Sequence, residues 1–154
     1  MSTKRNNELM KIADQVLQSG EATLLDRATG NISDSYNGQI SALGVSIAMN
    51  GICPTLAIYY KGSNNETRAV DRRPILEVIA RMIHNDTLLK STYPTIHNAE
   101  SLLRFAINAN RDTLKILQRE IVNCAVALKQ VVRTYNLVSQ CCLLYTSPSP
   151  RDTR

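Results

Sequence analysis

Arg111, Lys115 and Arg119 recur every four residues, and Lys129 and Arg133 repeat the interval further along. On a helix this spacing stacks the five cations on one face, where like charges at i and i+4 destabilise by roughly 0.2–0.5 kcal/mol per pair. Such a face is either solvated or set against an anion. The fitting anion is phosphate: each Lys or Arg against a nucleic-acid backbone releases a counterion, so binding is sequence-independent and steeply salt-sensitive. A second basic cluster holds Arg72, Arg73 and Arg81, with Lys61 close by in sequence. Aromatic residues make up only 5% of the chain, with one Phe and no Trp. Backbone contact is therefore expected ahead of base stacking.

Other chemistries find little support. There is no Gly-rich phosphate loop, no nucleophile elbow and no carboxylate pair with an obvious partner. The two histidines, His84 and His97, fall at helix edges, where His84 suits the helix dipole and terminal carbonyls better than general base work with Asp86. Four cysteines, Cys53, Cys124, Cys141 and Cys142, form no CxxC pair, so no metal site and no cofactor is expected.

These residues need helices to position them. Leu9, Ile12, Ala13, Val16 and Leu17 keep an i, i+3, i+4, i+7, i+8 pattern, which predicts a helix over Thr3 to Ser19, closed by Gly20. Glu21 to Ser35 is mixed and polar and reads as a long ordered loop. Tyr36 to Lys61 reads as two helices around one turn, the stretch on which the rest is expected to centre. Ile40, Leu43, Gly44, Ile47 and Ala48 share a side of the first, with Gly44 and Ala48 small enough to admit a close neighbour. Gly51 supplies a left-handed closure, and Pro54 is pre-set for the first turn of the second helix, which carries Leu56, Ala57, Tyr59 and Tyr60.

Gly62 to Ala69 reads as an exposed connection, and Asp71 as the cap of a helix reaching about His84. Ile75, Leu76, Ile79, Ala80 and Ile83 point inward there, and Arg72, Arg73, Glu77 and Arg81 outward, with Pro74 tolerated in the first turn. A helical turn is predicted at Thr87 to Lys90 and a short helix within Asn98 to Ala109. The longest element runs from Asp112 to about Gln140. Its stripe from Leu114 through Leu117, Ile121, Cys124, Ala125, Leu128, Val131 and Val132 to Tyr135 is expected to be core rather than partner interface.

The fold class predicted is all-α: a compact single-domain bundle of about five to seven helices with a long C-terminal helix. Length, 44% hydrophobic and 20% charged residues suit one soluble domain. No apolar run approaches the ~20 residues of a membrane span, and the N-terminus lacks the apolar region of a secretory signal, so a cytoplasmic protein is expected. The domain is assigned to residues 1–140 and residues 141–154 to a disordered tail. Cys142 to Asp152, CLLYTSPSPRD, resembles the in-frame translation of a transposon-end sequencing adapter and is kept out of fold reasoning. Setting aside Arg151, Arg154 and Asp152 lowers the net charge of +5 by one.

Three blocks in order carry a family resemblance: YNGQISALGVSIAMNGICPTLAIYY with its NG turn, the DRRPILEVIARMI helix after a variable loop, and AVALKQVVRTYNL near the C-terminus. From Ile12 to Leu137 the chain resembles the small helical subunit of type III-B CRISPR effector complexes, the Cmr small subunit family. It departs where family members often place Leu after the NG, because Ile52, Cys53 and Pro54 follow here. The resemblance implies a non-catalytic subunit, copies of which stack head to tail along an RNA-guided complex beside the subunits that hold the guide. Its basic faces line the channel for guide and target RNA, while cleavage belongs to other subunits. The implied contacts, to phosphate or as salt bridges between subunits, are Lys129 and Arg133, then Arg72 and Arg73, then Lys61, Arg81, Lys115 and Arg119. Two readings of other classes stand beside it: a helical adaptor holding a protein through the Leu114 to Tyr135 stripe or the Tyr59, Tyr60 end, and a small enzyme using His84 or His97 with Asp86.

Overall fold

The computed structural model describes residues 1–61 and 72–139. Within them α1 spans Thr3–Ser19, β1 Leu25–Asp26, β2 Asn31–Ser33, α2 Asp34–Asn50, α3 Ile52–Lys61, α4 Arg73–Asn85, α5 Thr87–Thr92, α6 Ala99–Asn108, α7 Arg111–Val132 and β3 Asn136–Val138. The architecture is the expected helical bundle with a long C-terminal helix. The Asp71 cap, the Gly62 to Ala69 connection and the tail from Gln140 lie outside the described residues.

Both ends of α1 are written locally. The Ser2 hydroxyl accepts the Arg5 N–H at 3.1 Å, and Gly20 closes the helix in the left-handed region at φ 80°. Leu9, Ala13, Val16 and Leu17 are buried on the face that packs along α7 and α4. The α2–α3 corner turns at Gly51, whose φ of 88° and ψ of 167° lie outside the left-handed helical region expected, in backbone space open in practice only to glycine. Across the corner the Ser46 and Thr55 hydroxyls meet at 2.9 Å, and Tyr59 Oη donates to the Gln39 carbonyl at 2.7 Å. Ile40, Leu43 and Ile47 are buried as expected. The close neighbour expected at Gly44 and Ala48 is absent among the described residues: Ala48 is exposed, and a Cβ at Gly44 would meet nothing within 4 Å.

The centre of the core is α4 rather than the Tyr36 to Lys61 block. Ile75, Leu76, Val78, Ile79, Ala80, Met82 and Ile83 are all fully buried, because α4 packs against α1, α3, α5, α6 and α7. Asp86 ends α4 and caps α5, accepting the Leu89 N–H at 3.0 Å, so α5 continues past the predicted Lys90 to Thr92. Asn98 and Ser101 close a reciprocal capping box on α6.

Two departures occur at the edges. The Glu21 to Ser35 segment contains β1 and β2, paired antiparallel, and β3 joins β2 in parallel with Ile32 opposite Leu137. Consequently α7 stops at Val132, short of Gln140, and the chain turns through Arg133 to Tyr135 into β3. The stripe on α7 is core: Leu117, Ile121, Cys124, Ala125, Leu128, Val131 and Val132 are buried, and Leu114 and Tyr135 pack half-buried against them. The Tyr135 hydroxyl donates to Asp14 and accepts from Gln18, tying the end of α7 back to α1.

Candidate functional site

With its apolar stripe turned inward, α7 must turn the residues at the opposite helical angle to solvent. Arg111, Lys115 and Arg119 are accordingly exposed or half-exposed. Lys115 and Arg119 border a shallow groove of about 370 Å³ with Gln118, Val122 and Asn123. Lys129 follows half-buried in the last turn, about 21 Å along the axis from Lys115 at 1.5 Å per residue. Arg133 lies just past the helix, its N–H held by the Lys129 carbonyl at 3.1 Å. The two cation groups are separated by Val122, Asn123 and Val126, and among the described residues none of these five cations forms an ion pair. With no ion pair inside the fold, they are available to an external anion.

The second predicted cluster is arranged differently. Arg72 precedes α4 with its guanidinium 5.4 Å from the centre of the Tyr59 ring, and Arg73 lies 4.1 Å from that of Tyr60 while its Nε donates to the Tyr60 carbonyl at 3.0 Å. Both arginines thereby fasten the start of α4 to the end of α3, and the tyrosine end proposed for a protein partner is occupied by them. Burial raises the Tyr59 phenol above its usual pKa, with Arg72 opposing. Lys61 is exposed at the end of α3. Arg81, further along α4, pairs with Glu21 at 2.8 Å. The structure thus groups Lys61, Arg72 and Arg73 at one helix junction, holds Arg81 in an internal pair, and sets Lys115, Arg119, Lys129 and Arg133 along α7.

The histidine reading does not obtain its carboxylate. Asp86 is buried and receives both Arg5 Nη atoms at 2.7 Å, besides capping α5. Burial acts to raise its pKa, but the Arg5 guanidinium and the Leu89 amide hold it below the usual carboxylate range. His84 and His97 meet edge to face at 6.4 Å, with the His97 ring bonded to the Thr95 carbonyl at 3.0 Å. Among the described residues no three His, Cys, Asp or Glu side chains converge on a metal position. Burial pushes the Cys124 thiol up to about 12, which leaves it unreactive, and Cys53 donates to the Ala106 carbonyl.

Two surfaces escaped the sequence reading. Arg104 on α6, an isolated basic residue in the sequence, lines a groove of about 500 Å³ with Thr95, Ser101, Phe105, Asn108, Ala109, Asn110 and Thr113. On α2, Val45 and Met49 are 59% and 78% exposed, on a solvent face shared with Gly38 and Ala42. The only charge on that helix is Asp34 at its start, a signal the sequence did contain. No described helix is long and apolar enough to cross a membrane.

No curated protein and no solved structure matches the chain. A family model does: CRISPR-associated protein (Cas_Cmr5) matches residues 5–135, which takes in every described helix except the first two residues of α1. The chain belongs to the Cas_Cmr5 family of CRISPR-associated proteins, the Cmr small-subunit family.

Proposed function

We propose that the protein is a non-catalytic small subunit of a type III-B CRISPR effector complex, acting in the cytoplasm in antiviral defence. It stacks with copies of itself and supports guide and target RNA through its basic faces. The observation that carries this reading is the run of unpaired cations on the solvent face of α7, on a chain whose net charge of +5 stays positive when the tail is set aside. Phosphate contact accounts for cations that the fold itself does not use. Lys115, Arg119, Arg133 and Lys61 are the contacts favoured by exposure, and half-buried Lys129 joins them through its place on the same face of α7. Arg72, Arg73 and Arg81 already serve the fold, and contribute residual positive potential.

The test is RNA binding by the assembled complex with Lys129→Glu and Arg133→Glu together. Affinity is expected to fall and its salt dependence to flatten, by about 0.7 in log–log slope for each single-strand phosphate that is no longer neutralised. The helical circular dichroism of the subunit is expected to stay unchanged. Equal binding by wild type and variant across a salt titration would remove the RNA role.

One observation favours the alternative, a helical adaptor that binds protein without touching RNA. The uncharged solvent face of α2 is the kind of surface that protein contacts bury. The adaptor reading predicts co-purification with a protein partner after nuclease treatment and no RNA affinity. We further propose that the segment from Cys141 is translated adapter, which the nucleotide sequence of the native locus tests directly.

A further inference from the structure

The groove between α6 and the start of α7 is open to solvent and lined by one guanidinium, two carboxamides, three hydroxyls and the only Phe of the chain. Some of these groups already serve the fold. Ser101 Oγ accepts the His97 and Asn98 amides, Asn110 Oδ1 accepts the Thr113 amide, and Asn108 Nδ2 donates to the Arg104 carbonyl. Left without intramolecular partners among the described residues are the Arg104 guanidinium, Asn108 Oδ1, Asn110 Nδ2 and the hydroxyls of Thr95 and Thr113. No carboxylate lines the groove. Glu100 and Asp112 are exposed neighbours in the first turns of α6 and α7, and exposed Arg111 follows Asn110. Phe105 is half-buried, held edge-on by Tyr93 at 5.3 Å and 87°, so its orientation is fixed.

We propose that this groove takes one nucleotide of a single RNA strand, an inference that rests on the RNA-binding reading above. Arg104 meets the phosphate, Phe105 lies against the base, and the carboxamides and threonine hydroxyls bond the ribose and the phosphate oxygens. The volume is that of a site for a ligand of this size, and an open groove lets the strand continue on both sides where an enclosed pocket would select a free nucleotide. A fixed aromatic ring beside a cation is the combination that holds unpaired bases without sequence preference.

The test uses the full chain, alone and in the assembled complex, with a mixed-sequence single-stranded RNA carrying 4-thiouridine. Arg104 is exposed, so Arg104→Gln is expected to keep the helical circular dichroism. It is expected to lower affinity about tenfold, since the neutral carboxamide can still donate to the phosphate but no longer brings the guanidinium's charge and paired donors. The log–log salt slope should fall by about 0.7. Arg104→Lys should restore the slope, and cross-links should map to residues 101–113. Wild-type affinity in Arg104→Gln, with cross-links confined to Lys115, Arg119 and their neighbours, would overturn the groove while leaving the RNA reading intact. No RNA binding by the wild type in either form removes both. Uridine monophosphate binding as tightly as the strand would overturn the assignment to a strand. Loss of the other subunits with RNA binding retained would identify a protein contact and overturn it as well.

Discussion

At the scale of single residues, Arg5 and Asp86 form a bidentate ion pair at 2.7 Å with the carboxylate almost wholly buried. Because Asp86 is held below an unfolded value of about 3.9, its contribution is present above that pH and is lost as pH falls through the lower folded value. Asp86→Asn leaves Arg5 facing a neutral partner and is expected to cost about 3 kcal/mol at neutral pH, read from denaturant midpoints. The gap to wild type should narrow below about pH 4; a gap that stays constant down to about pH 2 would show that Asp86 is not the group titrating. Nothing in the sequence announced this pair, since its members lie 81 positions apart, Arg5 alone reads as an ordinary surface charge and Asp86 reads as a histidine partner. The α7 cations were legible because helical spacing is local, whereas the Arg104 groove needs two helices brought side by side.

At the scale of elements, α1 was legible from end to end because both of its caps are encoded within a residue of its ends. The end of α7 was not, because Tyr135 and Leu137 continue the apolar pattern while the backbone has already left the helix. Strands of two and three residues are too short for an alternating pattern to register. The α2–α3 corner permits a sharper test. Gly51→Ala places a Cβ at φ 88°, with Pro54 Cδ 3.9 Å away, so backbone strain rather than a clash opposes it. A destabilisation of about 1–3 kcal/mol is expected, measured by urea unfolding. On the outer face of α2, Val45→Asp with Met49→Asp should cost only about 1 kcal/mol, from like charges at i and i+4 near the helix C-terminus rather than from lost burial, because both side chains are exposed. The same pair should reduce co-purification with other subunits if this face is a protein contact; undiminished recovery would leave it as bare surface.

At the scale of the whole molecule, the family match ends at residue 135, and the described structure ends soon after at Ser139. A chain stopped after Gln140 is expected to keep the Tm and helical signal of the full chain, as follows from assigning the later residues to adapter. A lower Tm would return those residues to the protein. The arrangement also has a temporal side. The apolar face of α1 packs along α7 as well as α4, and β2 finds its parallel neighbour in β3, so part of the cover comes from the last third of the chain. During synthesis α1 leaves the ribosome first; α4 supplies part of the cover of its apolar face midway, and the rest waits for α7. Completion of α7, rather than of α1, is therefore expected to be the moment at which the bundle becomes resistant to proteases, read by limited proteolysis of stalled nascent chains.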